Sequence, residues 1–566
     1  MKTTKNIARL AVTAGLTAML SFGGVMAPVA MAFAEDAAAT ANGSVTITNV
    51  EGNHTEFDGY QIFKADVATV EGKTVVSNIT WANGSVKAAV EGVIKNEKPT
   101  YKGKTAQDAA DWITDKVTGT NDTYRVGPDN IAYKIAAAVD DLTDKKTTSA
   151  GVASGLEHGY WLFVTDAGTI GDGEAGTSPI FAVVGSTPVN VNEKTGIPTV
   201  EKKIVSDADG KEHDAADSQI GQDVTYNLYG TVAENFDKYD TYFYEFSDQI
   251  SKGLTLQPGA KVYLYKNRAD AKGDLVRAKG TNITDNFTES TTTAADGSKT
   301  TTWTCDNLKQ VKDVNKDSYI VVSYTARINE HAIVAGTESN DNAVILKYSN
   351  NPMNKDSKGQ TPLDKVKDYT YGLKINKVDL GTETALDNAE FTIQATGADD
   401  DASKGLYVQE GGSLGAEAHK FKTANGGVIK VTGLDAGTYT VTEVSAPSGY
   451  AKVDPFTFEI KPSMKADDPD AGPTKLDGVL TTDQGGKVIA GLTDGDSGDN
   501  KLTAKPDTEK DADGTFNITV GDTKQINLPL TGLNGVTFTW IAGGAVLCIG
   551  VAHLIRSRKS DDGSEE

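Results

Sequence analysis

The segment Tyr242-Phe243-Tyr244-Glu245-Phe246-Ser247-Asp248 sets Tyr242, Tyr244 and Phe246 in one phase of a two-residue alternation. In an extended chain, successive side chains leave on opposite faces, so this spacing predicts a strand with one buried aromatic face. The next residue in phase is Asp248, which directs a carboxyl toward the same core. Val200 and Ile204 form a similar face with Lys202 between them, and Val344, Leu346 and Tyr348 follow Asn342 in phase. Short alternating runs of this kind, broken by Gly, Asp and Asn clusters, recur along most of the chain. They predict an all-β protein of sandwiches in series.

The chain has 566 residues, 55 basic and 78 acidic, for a net charge of −23. At roughly 100–200 residues per domain, this length accommodates three to five cores. The acidic balance opposes phosphate backbones and argues against nucleic acid as a partner. Cys305 and Cys548 are the only cysteines and cannot make a disulfide framework. Composition breaks at residues 190–198 and 350–368 divide the central region into domains at 35–194, 195–360 and 361–527. In the first domain, Ile131, Ile135, Ala138 and Leu142 recur at helical spacing, as do Ala109, Trp112, Ile113 and Val117. These stripes predict helices inserted between strands.

The two ends suggest export. Lys2, Lys5 and Arg9 precede an apolar run and Ala32-Phe33-Ala34, the pattern of a signal peptide (1–34) cleaved after Ala34. Residues 536–555 are long and apolar enough to span a bilayer, and Arg556, Arg558 and Lys559 would hold the following end in the cytoplasm. Leu528-Pro529-Leu530-Thr531-Gly532 stands just before that span. Pentapeptide, apolar span and basic tail together (528–566) resemble a Gram-positive cell-wall sorting signal. The resemblance implies that a sortase thiol attacks the carbonyl of Thr531 and releases Gly532 onward, leaving an acyl group for an amine.

The third domain repeats the inward-facing polar residues. Leu373 and Ile375 lead in phase to Lys377, Tyr439 and Val441 to Glu443, and Phe516, Ile518 and Val520 to Asp522. An isolated buried charge costs several kcal/mol or more, so each of these groups needs a partner, and the sets suggest one another. Desolvation favours a neutral amine beside a protonated acid. Such an amine is a nucleophile, and the acid can shuttle the proton. The product would be an intramolecular isopeptide, releasing ammonia from Asn342 or water from Asp522. Lys203 neighbours Lys202, Asn340 shares the phase of Asn342, and Asn517 is an alternative acceptor to Asp522, so periodicity alone leaves these choices open.

Tyr439-Thr-Val-Thr-Glu443-Val-Ser-Ala446-Pro447-Ser-Gly449-Tyr450, with Lys377-Val-Asp379 and Leu386-Asp-Asn-Ala389-Glu-Phe391, resembles a Cna B-type domain and its glutamate motif. Ile220-Gly-Gln-Asp223-Val-Thr-Tyr226, Asp248-Gln-Ile-Ser-Lys-Gly253-Leu254 and Tyr348-Ser-Asn-Asn-Pro352 are similar to the middle domain of Gram-positive backbone pilins. The resemblance implies tandem immunoglobulin-like sandwiches with Lys202–Asn342 and Lys377–Asp522 bonds, and with Asp248 and Glu443 as proton shuttles. It also implies an amine at the junction of the first two domains, where Lys194 is the candidate, although the flanking Tyr-Pro of the family motif is replaced here by Asn192-Glu193.

The implied protein is the shaft subunit of a surface pilus, made by a class C sortase joining Thr531 to Lys194 of the next copy. Its expected partners are identical and minor pilins, peptidoglycan through a housekeeping sortase, and a host receptor. The alternative is a monomeric wall-anchored adhesin. No enzyme motif and no cofactor or metal set is expected. Asp207-Ala-Asp209-Gly210 and Asp494-Gly-Asp496 miss the EF-hand spacing and read as turns.

Overall fold

A computed structural model describes residues 43–70, 73–118, 130–193, 195–333, 339–398, 403–464, 473–480, 488–490, 501–504 and 514–525. The expected signal peptide, Lys194, sorting pentapeptide, membrane span and Cys548 lie outside them. No described helix is long and apolar enough to cross a membrane.

The chain forms tandem β-sandwich units. In the first, the strands Gly43–Thr48, Val152–Leu156 and Val189–Asn192 make one sheet, and Phe57–Val70, Gly159–Thr165 and Ile180–Val184 contribute to a second. Val45, Ile47, Phe57, Trp161, Phe163 and Val191 fill the space between them. Helices Gly84–Glu97, Ala106–Thr118 and Ile131–Val139 cover the other side of the larger sheet through Tyr60, Ile62, Val90, Ile113 and Ile135. Asn83 and Asn130 cap two of these helices, accepting from the amides of Val86 and Ala132. The last helix stops at Val139, so Ala136 and Val139 carry its buried stripe where Ala138 was expected.

The second unit is a sandwich of two sheets. Val200–Val205, Asp223–Thr231 and Tyr319–Ile328 are consecutive neighbours in one, and Asp364–Tyr369, Asn340–Ser349, Tyr244–Ile250 and Lys299–Cys305 in the other. The alternation read from the sequence is realised: Tyr242, Tyr244, Phe246, Val344, Leu346 and Tyr348 are all fully buried. Cys305 is buried in the same core and carries a free thiol.

Asp364–Tyr369 corrects the expected boundary at 360/361. It pairs antiparallel with Asn340–Ser349, and Val366 joins the second core. Its alternation is masked because Asp364, Lys365, Lys367 and Asp368 surround a single apolar residue, so composition alone suggests a linker.

In the third unit, Val428–Leu434, Tyr371–Asp379 and Thr515–Lys524 are adjacent in one sheet, and Glu390–Ala398, Gly437–Ser445 and Phe456–Met464 in the facing one. Tyr371–Asp379 and Thr515–Lys524 run parallel.

A strap from the second unit docks on the third. Ala215 packs into the third core, Ile220 donates its amide to Gly433 O (2.9 Å), and Gln219 Nε2 donates to the same carbonyl (2.8 Å). Gln219 Oε1 accepts from Asp435 N and Tyr439 OH. Gly433 has φ +74°, and an added Cβ would lie 2.1 Å from Ile220 Cδ1. Gly426, also left-handed at φ +96°, has open space around it. Gly433→Ala and Gly426→Ala should therefore share a backbone cost of about 1–2 kcal/mol. Urea unfolding of residues 35–527 should show a larger loss for Gly433→Ala, the excess measuring the contact between the two units.

Candidate functional site

Two polar clusters lie within the apolar cores. In the second unit, the ladder between Val200–Val205 and Asp223–Thr231 sets Lys202 opposite Leu228, with its side chain on the inner face. From the facing sheet come Asp248 and Asn342, on neighbouring strands. Lys202 and Asn342 are 0% exposed and Asp248 is 1%, so none can rely on bulk water for its polar partners.

Lys202 Nζ donates to Asp248 Oδ1 and, at 3.1 Å, to the hydroxyl of Tyr324. Tyr324 donates to Asp248 Oδ2 at 2.6 Å and accepts from Asn342 Nδ2 at 2.7 Å. Asn342 Oδ1 has no hydrogen-bond partner among the described residues. Burial pushes the Lys202 amine down to about 8, against the opposing pull of Asp248. Burial also raises Asp248, more than Lys202 and Tyr324 lower it. Both directions favour a neutral amine beside a protonated acid.

The alternatives left open by periodicity are occupied elsewhere. Lys203 Nζ is half-buried and pairs with Asp214 at 2.6 Å. Asn340 Oδ1 accepts from Ile333 N at 2.9 Å, and its Nδ2 donates to Asp368 O at 3.3 Å.

The third unit builds its cluster differently. Parallel pairing puts Lys377 opposite Val520 and Asp379 opposite Asp522, so Lys377 reaches diagonally to Asp522 Oδ1 on the inner face. Glu443 approaches from the opposite sheet, its Oε1 3.1 Å from Lys377 Nζ and its Oε2 accepting from Val453 N at 2.8 Å. Burial raises the Glu443 carboxyl, the Val453 amide and Lys377 only partly offsetting it. Lys377 and Asp522 are 0% exposed, whereas Asn517 is opposite Lys374 on the other phase and half-buried. In each cluster an amine therefore lies with an acid beside a side-chain acyl group.

Residues 371–470 match the family model described as SpaA: Prealbumin-like fold domain. The matched segment contains Lys377 and Glu443, while Asp522 lies beyond it on Thr515–Lys524. Among curated proteins, the trypsin-resistant surface T6 protein of Streptococcus pyogenes is 26% identical over 285 residues, 47% of this chain and 46% of that protein. The match thus spans less than half the length of that relative. Among solved structures, the T6 backbone pilin of Streptococcus pyogenes is similar at TM-score 0.48 and 18% identity, covering 85% of this chain and 98% of that one. The major pilin SpaD from Corynebacterium diphtheriae is similar at TM-score 0.45 and 16% identity, covering 86% and 98%.

Sequence reasoning missed Tyr324, although a signal was present: it shares the phase of Ile320, Val322, Ala326 and Ile328, all fully buried. It also missed Asp364, whose Oδ2 accepts from Lys202 N at 2.6 Å and helps fix the lysine backbone.

Lys202 supplies a pH test. Its folded value of about 8 lies below its ordinary 10.5, so between them the unfolded chain binds a proton that the folded chain does not. Stability due to this group therefore rises with pH across that window. In Asn342→Ala, which leaves Lys202 as a free amine, urea midpoints should rise from pH 8 toward pH 10. The increment should vanish in the Lys202→Met, Asn342→Ala double variant.

Proposed function

We propose that the chain is the structural backbone subunit of a covalently polymerised pilus on a Gram-positive cell surface, stabilised by bonds between Lys202 and Asn342 and between Lys377 and Asp522. The observation that carries this reading is the pair of clusters that bury a lysine against an acid and a side-chain acyl group. A salt bridge buried this deeply offers little net stability, because desolvation offsets much of the attraction. A covalent product removes both charges and converts the arrangement into a permanent link.

In the proposed reaction, neutral Lys202 attacks Cγ of Asn342 with Asp248 as proton shuttle, and ammonia leaves. Lys377 attacks Cγ of Asp522 with Glu443 as shuttle, and water leaves. Each bond closes a loop of more than 100 residues, which on a chain-entropy estimate is worth about 5 kcal/mol. The two links have different mechanical roles. Lys202 and Asn342 are on opposing sheets, so their bond would clamp the sandwich across its core. Lys377 and Asp522 are on adjacent parallel strands, so theirs would stop one strand sliding along the other.

The proposed assembly joins a C-terminal acyl group to an internal amine. A class C sortase would cleave after Thr531 and transfer the acyl group to Lys194 of the next copy. Head-to-tail repetition of that step does not close, and so yields a filament. Minor pilins and attachment to peptidoglycan by a housekeeping sortase complete the proposed assembly.

Intact mass of residues 35–527 tests the internal bonds: loss of one ammonia, about 17 Da, and of one water, about 18 Da, is expected. Lys202→Met should abolish the first loss and Lys377→Met the second, while an unshifted wild-type mass would sink the covalent proposal. Lys194→Arg tests assembly. Co-expressed with a class C sortase, the wild type should form high-molecular-mass ladders and the variant should remain monomeric; ladders in neither would favour the anchored adhesin.

A further inference from the structure

The second-unit cluster contains a group that the reaction above leaves unused. Asp248 occupies one carboxylate oxygen with Lys202 and the other with Tyr324. Its ladder partner is Val344, whereas Asn342 is opposite Ile250, one step further along the same face. The Tyr324 hydroxyl spans that offset, 2.6 Å from Asp248 Oδ2 and 2.7 Å from Asn342 Nδ2. The contacts thus form an unbroken path from Lys202 Nζ through Asp248 and Tyr324 to Asn342 Nδ2.

We propose that Tyr324 is a catalytic residue of bond formation in the second unit, passing the proton lost by Lys202 to the departing nitrogen of Asn342. This inference rests on the isopeptide reading and adds a step to it. The neutral Lys202 amine forms a bond to Cγ of Asn342, and the carbonyl π pair moves to Oδ1. Tyr324 gives its proton to Nδ2 and takes the proton of Asp248, and the carboxylate so formed takes one proton from the now cationic lysine nitrogen, so both return to their starting states. The pair on Oδ1 re-forms the carbonyl as the Cγ–Nδ2 bond breaks. Lys202 has lost one hydrogen, and the amide nitrogen leaves as ammonia.

The phenol is well placed for this work. Its ring stacks with those of Tyr226 and Trp303, each centroid 5.4 Å away, at interplanar angles of 19° and 27°. These rings restrict rotation about the side chain and hold the hydroxyl among Lys202, Asp248 and Asn342. Burial keeps the phenol well above its ordinary 10.0, so it enters the reaction carrying its proton. The Tyr226 hydroxyl donates to Asp368 Oδ2 at 3.2 Å and also interacts with Asn342. In the third unit, Glu443 lies directly beside Lys377, and the neighbouring Tyr450 hydroxyl is spent on Asp379 at 2.9 Å.

The test follows bond formation in time. Residues 35–527 are synthesised cell-free, quenched in acid at intervals and digested, and the linked peptides containing Lys202–Asn342 and Lys377–Asp522 are quantified separately. Tyr324→Phe should slow the first bond at least tenfold and leave the second at the wild-type rate. Equal rates for Tyr324→Phe and wild type would overturn the relay while leaving the isopeptide reading intact. Absence of the first bond from wild type would overturn that reading and the relay with it. Replacement of Tyr324 by 3,5-difluorotyrosine keeps the ring and hydroxyl but makes the phenol more acidic, and so covers the case in which Tyr324→Phe fails to fold. Its first bond should slow at alkaline pH where the wild-type rate is unchanged; coincident pH profiles would overturn the proposal.

Discussion

An ammonium group removed from water is the constraint around which the two larger sandwiches are arranged. Lys202 and Lys377 are each fully enclosed, in cores otherwise lined by Tyr, Phe, Val, Leu and Ile. Desolvating such a charge costs several kcal/mol even after relaxation, and only a close acid and further hydrogen bonds offset it. The facing sheets supply these groups from separate strands, so the cluster and the sandwich are mutually dependent. Pairing must be in register for the acid to arrive, and without the acid the lysine opposes closure of the core.

The two solutions are not copies. The second unit brings its amine and acyl acceptor from opposing sheets and places a phenol between the acid and the amide. The third brings amine and acceptor from adjacent parallel strands, with the glutamate reaching across from the other sheet. Proposed links across a core and along a sheet resist different displacements, and the strap at 215–220 joins the units through hydrogen bonds from Ile220 N and Gln219 Nε2 to the Gly433 carbonyl. A chain whose described cysteine is a buried free thiol can obtain cross-linking in this way without oxidation.

Much of this arrangement was legible because strand periodicity is strict. A residue two, four or six positions from a buried aromatic shares its face, and so Asp248, Lys202, Asn342, Lys377, Glu443 and Asp522 could all be placed inward from spacing alone. The strand Asp364–Tyr369 was not legible. Its inner face offers only Val366 as an apolar marker, so a buried strand has the composition of a linker. Tyr324 was hidden for the opposite reason, since a tyrosine in an apolar phase is ordinary core material until its hydroxyl is seen to meet polar atoms.

Local alternation by itself determined the strands, the face each side chain takes and the charged residues that must find partners inside. Only the tertiary structure decided which partners they find. Lys202 differs from Lys203, and Asn342 from Asn340, in the contacts each makes: Asp214 and Ile333, both outside the strands, engage the alternatives, while the hydroxyl of Tyr324 meets both Lys202 and Asn342. Phase is a property of one strand, whereas partnership depends on how two sheets are set face to face. That setting follows from packing both cores at once.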